Sequence, residues 1–197
     1  MAIDTWSETC LIAIAAQGGS NVKFQAITET VDMDIGDKDF DIIATLAGGR
    51  LVKFTPQAET TITFEAYPLD AGTDTGIIGK GFFDLMNTAD TNQPVQISAD
   101  RIRNKYRVAI MWTTDTSITD ATSAVTYSAT VQALRFVAAD GYFISVKPSF
   151  TDGVQKVSVK FKVPAFDSAG SANIKMESIS GTGVLAALAA YTTSVKW

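Results

Sequence analysis

The chain has 197 residues, 46% of them hydrophobic and 19% charged, which is enough length and apolar content for one globular core and far from a disordered composition. It contains no histidine, which excludes Ser-His-Asp and Cys-His nucleophile pairs, His-ligated zinc or haem, and an imidazole pH switch. The formal net charge of −5 argues against holding phosphate backbones by net attraction.

The first apolar run, CLIAIAA, carries the single cysteine, Cys10. One cysteine makes no internal disulfide and no thiolate cluster, and with no basic neighbour to lower its pKa it reads as a structural thiol. The residues before this run are not expected to form a secretory signal, because their first charges are Asp4 and Glu8 rather than Lys or Arg. Further on, the dominant period is two. Val22, Phe24 and Ala26 alternate with polar neighbours, as do Ile62, Phe64 and Ala66, and later Val157, Val159, Phe161 and Val163; each set predicts a strand with one wet face.

The best helical candidate is 76–87, capped by Asp74 or Thr75, with Ile77, Phe82, Phe83 and Leu85 toward the core and three glycines against it. Residues 101–113 predict a strand with Ile102, Tyr106, Val108, Ile110 and Trp112 on the core side. Arg101, Arg103, Lys105 and Arg107 then fall on the other, as a solvated or edge face. A strand over 124–137 is expected to turn at Asp140-Gly141 into 142–147, forming a hairpin. The apolar run from Val184 to Tyr191 spans 8 residues where a membrane span needs roughly 20, so no membrane insertion is expected; it suits either a helix or a buried strand, and Gly181 and Gly183 before it with Tyr-Thr-Thr-Ser-Val after it favour strand. Together these elements predict a mainly antiparallel β-sandwich or barrel in one domain with one short flanking helix.

No motif assembles into a catalytic or cofactor site. Gly181-Thr-Gly183-Val-Leu-Ala186 fits a dinucleotide fingerprint, but only 14 residues follow Gly183 and none is acidic, so it reads as a turn leading into a strand. Asp74-Thr75-Gly76 resembles an aspartic-protease turn, yet polar Thr73 precedes it, and a helix cap explains it better. The series Asp32, Asp34, Asp37, Asp39 and Asp41 fails as an EF-hand loop. Gly36 stands where an acid or amide is wanted, Asp37 replaces the glycine, and Ile43 occupies the bidentate Glu position. A solvated acidic face or an intersubunit contact is left.

Charge is divided unevenly along the chain. Residues 1–100 carry 15 acids against 5 bases, a balance of −10, whereas residues 101–197 carry 6 acids against 11 bases, a balance of +5. Faces of opposite sign on one subunit favour head-to-tail contacts between copies, and such contacts make rings and filaments. The basic row Arg101, Arg103, Lys105 and Arg107 is then a candidate partner for another copy's acidic segment. A nucleic-acid role for the row lacks its stacking platform, since Tyr106 lies on the opposite side.

The blocks ITETVDMDIGDKDFDIIATLAGGRLVKFTPQAETTITFEAYPLDAG (27–72), KYRVAIMWTTD (105–115) and the C-terminal IKMESISGTGVLAALAAYTTSVKW resemble the tail tube, or major tail, proteins of tailed viruses. The resemblance implies a β-sandwich or barrel with a flanking helix, and subunits joined into hexameric rings stacked as a hollow tube. It also implies passage of viral DNA through the lumen without specific binding, assembly with a tape-measure protein, a place in the virion tail after assembly in the host cytoplasm, and neither a catalytic site nor a cofactor. By position it implies an extended loop or hairpin arm at 31–54 reaching a neighbouring subunit, with contacts from Asp32, Asp34, Asp37, Asp39, Arg50 and Lys53. The rival reading is a monomeric β-sandwich binding module for carbohydrate or protein, which would display Trp6, Tyr67, Trp112 and Trp197 as an aromatic platform.

Overall fold

The structure, a computed structural model, describes residues 9–19, 21–26, 31–46, 48–54, 56–66, 105–126, 128, 131–151, 154–179 and 183–197. It is a mainly β, antiparallel architecture with no helix among the described residues. The expected helix at 76–87 lies outside them, as do Asp74-Thr75-Gly76, Arg101 and Arg103.

Strands β1 (Thr9–Ala16) and β2 (Asn21–Ala26) form a hairpin, followed by β3 (Val31–Asp34), β4 (Phe40–Ala44), β5 (Arg50–Phe54) and β6 (Thr60–Ala66). After these come β7 (Tyr106–Thr113), the short β8 (Val125–Thr126), the long β9 (Ala133–Thr151), β10 (Val154–Val163), β11 (Ile174–Ser178) and β12 (Val184–Leu185). The main sheet runs β2-β1-β7-β9-β10-β6-β3, with β11 also paired to β9; β8–β12 and β4–β5 stand as separate pairs.

This sheet folds over on itself because β9 serves both halves. Its first residues pair with β7 and β11, and its later ones with β10. The expected Asp-Gly hairpin is therefore corrected. Asp140 does take the left-handed backbone that the dipeptide favours, with φ 57°, but at an irregularity in a continuous strand, where Tyr106 faces Gly141 and Val108 faces Ala138. A β-carbon on Gly141 would come within 2.5 Å of Phe161 Cε1 and Val163 Cγ2, so the glycine is what allows β10 to cross so closely at the bend. Residues 124–137 are likewise not one strand: β8 ends at Thr126, and β9 starts at Ala133.

Two cores result. Ile12, Ile14, Val108, Ile110 and Phe136 from one half meet Ile62, Phe64, Val159, Phe161 and Val163 from the other inside the fold. Rings of Tyr106, Phe143 and Phe161 meet there in sequence at steep interplanar angles of 64° and 56°, with centroids 4.8 and 5.1 Å apart. On the outer face of β1, β7 and β9, Leu11, Ala13, Ala109, Met111 and Val137 are covered by Val125, Leu185 and partly buried Leu188 and Trp197. Both faces of β1 and β7 are therefore buried, which is why CLIAIAA reads as continuous rather than alternating. The C-terminal run is strand only at β12, and residues 186–190 continue as non-repetitive chain across this outer face.

Candidate assembly interface

β4 and β5 leave the body as a two-stranded hairpin. Their register places Phe40 opposite Phe54, Ile42 opposite Val52 and Ala44 opposite Arg50, while Asp41 faces Lys53 and Ile43 faces Leu51. Because side chains alternate across a strand, Phe40, Ile42, Val52 and Phe54 share one side. They are 52, 57, 51 and 62% exposed, and the other side adds exposed Ile43 and Leu51. A hairpin that presents large apolar side chains on both surfaces is marginal alone in water, and exposed apolar patches are common where proteins meet partners.

The tip is ordered by its own backbone. Thr45 N–H and Thr45 Oγ1 both donate to Gly49 O, at 2.8 and 2.9 Å, and Gly48 N–H donates to Thr45 O at 3.0 Å. Gly48 takes φ 79°, and Leu46 projects fully exposed beside it.

The hairpin base is fixed to the body through the segment before β6. Ala58 N–H donates to Asp37 O at 3.1 Å, and Gln57 Nε2 donates to Gly36 O at 3.3 Å. The two segments pack so closely that a β-carbon on Gly36 would stand 2.5 Å from Ala58 O. At this base lies a cavity of about 630 Å³ lined by Lys38, Phe54, Pro56 and Gln57, with Pro164 and Phe166 across from them. Lys38 Nζ sits 5.1 Å from the Phe54 ring centroid, a cation–π contact on the cavity wall.

The acidic series runs along the segment that leads into this base. Asp32 and Asp34 are exposed on β3, whose alternate residues Val31 and Met33 pack on the inner core, and Asp37, Asp39 and Asp41 are also exposed. Asp39 accepts a hydrogen bond from Phe40 N–H at 2.8 Å. Among the described residues no group of three acidic or cysteine side chains is placed to hold a metal ion. Arg50 stands at the tip end of β5 and Lys53 near its base, both exposed.

The expected solvated basic row is corrected at Arg107. β7 lies in the middle of the sheet, and Arg107 is 1% exposed. Its guanidinium donates to Ala189 O at 2.7 Å and Lys196 O at 3.2 Å and lies over the Tyr191 ring. Burial pulls its pKa below the ordinary value, partly opposed by Tyr191, though an arginine stays charged. Arg107 is thus a clamp on the C-terminal segment and not a surface contact. Lys105 is half-exposed and lies 3.9 Å from Asp140.

Arg135 repeats the clamp. It donates to Ser123 O at 3.0 Å, to Ala186 O at 2.6 Å and to the Glu177 carboxylate at 2.6 and 3.0 Å. Burial raises the Glu177 pKa, but Lys175 and Arg135 outweigh it and hold the carboxyl below its usual value. Beside them the Tyr191 hydroxyl donates to Asp140 Oδ1 at 2.7 Å. Lys196 bonds Asp167 Oδ2 at 2.6 Å and Asn173 Oδ1 at 2.7 Å.

Of the aromatic residues named for a binding platform, the two that are described are not displayed. Trp112 is half-buried against the inner core and Trp197 against the outer one; Trp6 and Tyr67 lie outside the described residues. Reading the arm by its charges missed Phe40, Ile42, Leu46, Val52 and Phe54. The available signal was alternation in FDIIA and RLVKF on either side of a Gly-Gly turn.

No protein-family model matches the sequence, and no curated protein does. Among solved structures, the chain is similar to one in the extended sheath–tube complex of the PVC extracellular contractile injection system. The identity there is 14% over 90% of this chain and 93% of that one, with TM-score 0.46. It is also similar to a chain of the tube-terminating cap of the anti-feeding prophage, at 11% identity over 91% and 95% with TM-score 0.42. A further similarity is to an Hcp protein, at 9% identity over 88% and 100% with TM-score 0.40.

Proposed function

We propose that this chain is a structural subunit that self-assembles into a tube, with the β4–β5 hairpin as the arm joining copies. The observation that carries the reading is the apolar side of that hairpin, Phe40, Ile42, Val52 and Phe54, each more than half exposed. Fully burying one such side chain is worth roughly 1.5–3 kcal/mol, so covering four that are already half covered supplies several kcal/mol toward association. The sequence resemblance to tail tube proteins supports the same reading. On it, subunits close into rings of six, rings stack around a tape-measure protein, and viral DNA passes through the lumen of the virion tail. A net negative subunit suits that passage, since it does not hold phosphates. Exposed Asp32, Asp34, Asp37, Asp39, Arg50 and Lys53 are contacts at the edge of the apolar patch, and the subunit needs no catalytic group or cofactor.

The test is negative-stain electron microscopy with light scattering on the purified chain and on the Ile42→Asp/Val52→Asp variant. Rings or tubes are expected from the parent, and a folded monomer with unchanged circular dichroism from the variant. Monomers from the parent at every concentration and salt would overturn the reading in favour of the binding module.

A further inference from the structure

The geometry points to a specific partner for the cavity at the hairpin base: the hairpin tip of a second copy of this chain, with Leu46 inserted and Arg50 against the acidic segment 32–39. This inference rests on the self-assembly reading and names which surface of the neighbour the arm engages.

Four observations converge. The cavity wall is apolar where Phe54, Pro56, Pro164 and Phe166 line it, and its volume of about 630 Å³ exceeds one side chain and accommodates a turn. The tip has the complementary form, a fully exposed leucine carried on a narrow turn whose Gly48 and Gly49 add no side-chain bulk. Because the turn is already closed by its own hydrogen bonds, docking orders little new chain. Charge also matches: Arg50 is the only charged residue from 45 to 52, while Asp32, Asp34, Asp37 and Asp39 outnumber Lys38 around the base.

The tip cannot fill its own cavity. Strands of five residues at about 3.3 Å per residue hold it about 17 Å from the base. Tip-to-base contact is therefore between copies and joins two different surfaces, so each subunit gives one tip and receives another. That is the contact type that propagates as a ring or filament.

Disulfide trapping between copies tests the inference. In a Cys10→Ala background, copies carrying Leu46→Cys are mixed with copies carrying Ala165→Cys, a position that lines the cavity between Pro164 and Phe166, and oxidised. A covalent dimer in the mixture, and in neither variant alone, is the expected result. In parallel, Arg50→Glu should weaken association about tenfold or more, and adding Asp34→Lys and Asp37→Lys to it should restore association. If the parent assembles but no mixed disulfide forms and Arg50→Glu associates as the parent does, the tip-to-cavity contact is overturned while self-assembly stands. If the parent never assembles, both fail.

Discussion

Arg107 and Arg135 show how a segment without strand partners can be held on a sheet. Residues 186–190 lack a β-ladder, yet Ala186 and Ala189 carbonyls are satisfied by guanidinium groups rising from β9 and β7. Replacing Arg135 by Met leaves Ser123 O and Ala186 O without this donor and Glu177 with Lys175 as its remaining partner, and should cost about 2–3 kcal/mol in chemical denaturation. Arg135→Lys should recover little of this, because one ammonium cannot reproduce the planar fork. Tyr191 gives a pH signature. Burial, with its hydrogen bond to Asp140, raises its pKa. A raised folded-state value contributes stability that is present below the unfolded value near 10 and is lost as pH climbs above it. Tyr191→Phe should therefore be less stable than the parent by roughly 1 kcal/mol at neutral pH, with the gap closing in alkaline denaturation series. The strand period placed Arg107 on the correct side of β7. What it lacked was the cover, because the chain after β12 carries no periodic pattern to announce that it lies there.

At the scale of elements, the alternations at 62–66 and 157–163 became β6 and β10 with Ile62, Phe64, Val159, Phe161 and Val163 inward, since a sheet with one buried face writes its period directly into the sequence. Asp140-Gly141 misled for a physical reason. A left-handed residue followed by glycine serves a bulge as well as a two-residue turn, and only tertiary pairing decides between them. The glycine is constrained on the Phe161 and Val163 side, so Gly141→Val should destabilise by about 1–3 kcal/mol through overpacking at the bend, measurable as a lower Tm. The β4–β5 hairpin was legible as a segment from its Gly-Gly turn and its flanking alternation. Its importance was not legible, because exposure of Phe40 and Val52 depends on nothing else in the fold reaching them.

For the molecule as a whole, the −10 and +5 halves indicated contact between unlike surfaces, but the basic partner first expected contains Arg107, which is buried. On the proposed assembly the apolar hairpin carries the larger energy. Assembly should therefore persist at about 1 M salt, where screening acts beyond about 3 Å, and sedimentation velocity at low and high salt checks this. Dissociation in high salt would instead assign the contact to the charged residues.

The continuous course of β9 has a mechanical consequence. A sandwich whose sheets are linked only by loops can let one sheet slide over the other when pulled, with side-chain packing as the resistance. Here 19 residues of covalent backbone belong to both halves. Tension applied to one half is transmitted through β9 to the other, and its hydrogen bonds to β7 and β10 are loaded in shear along the strand. Bonds loaded that way share the force and fail together rather than unzipping in turn.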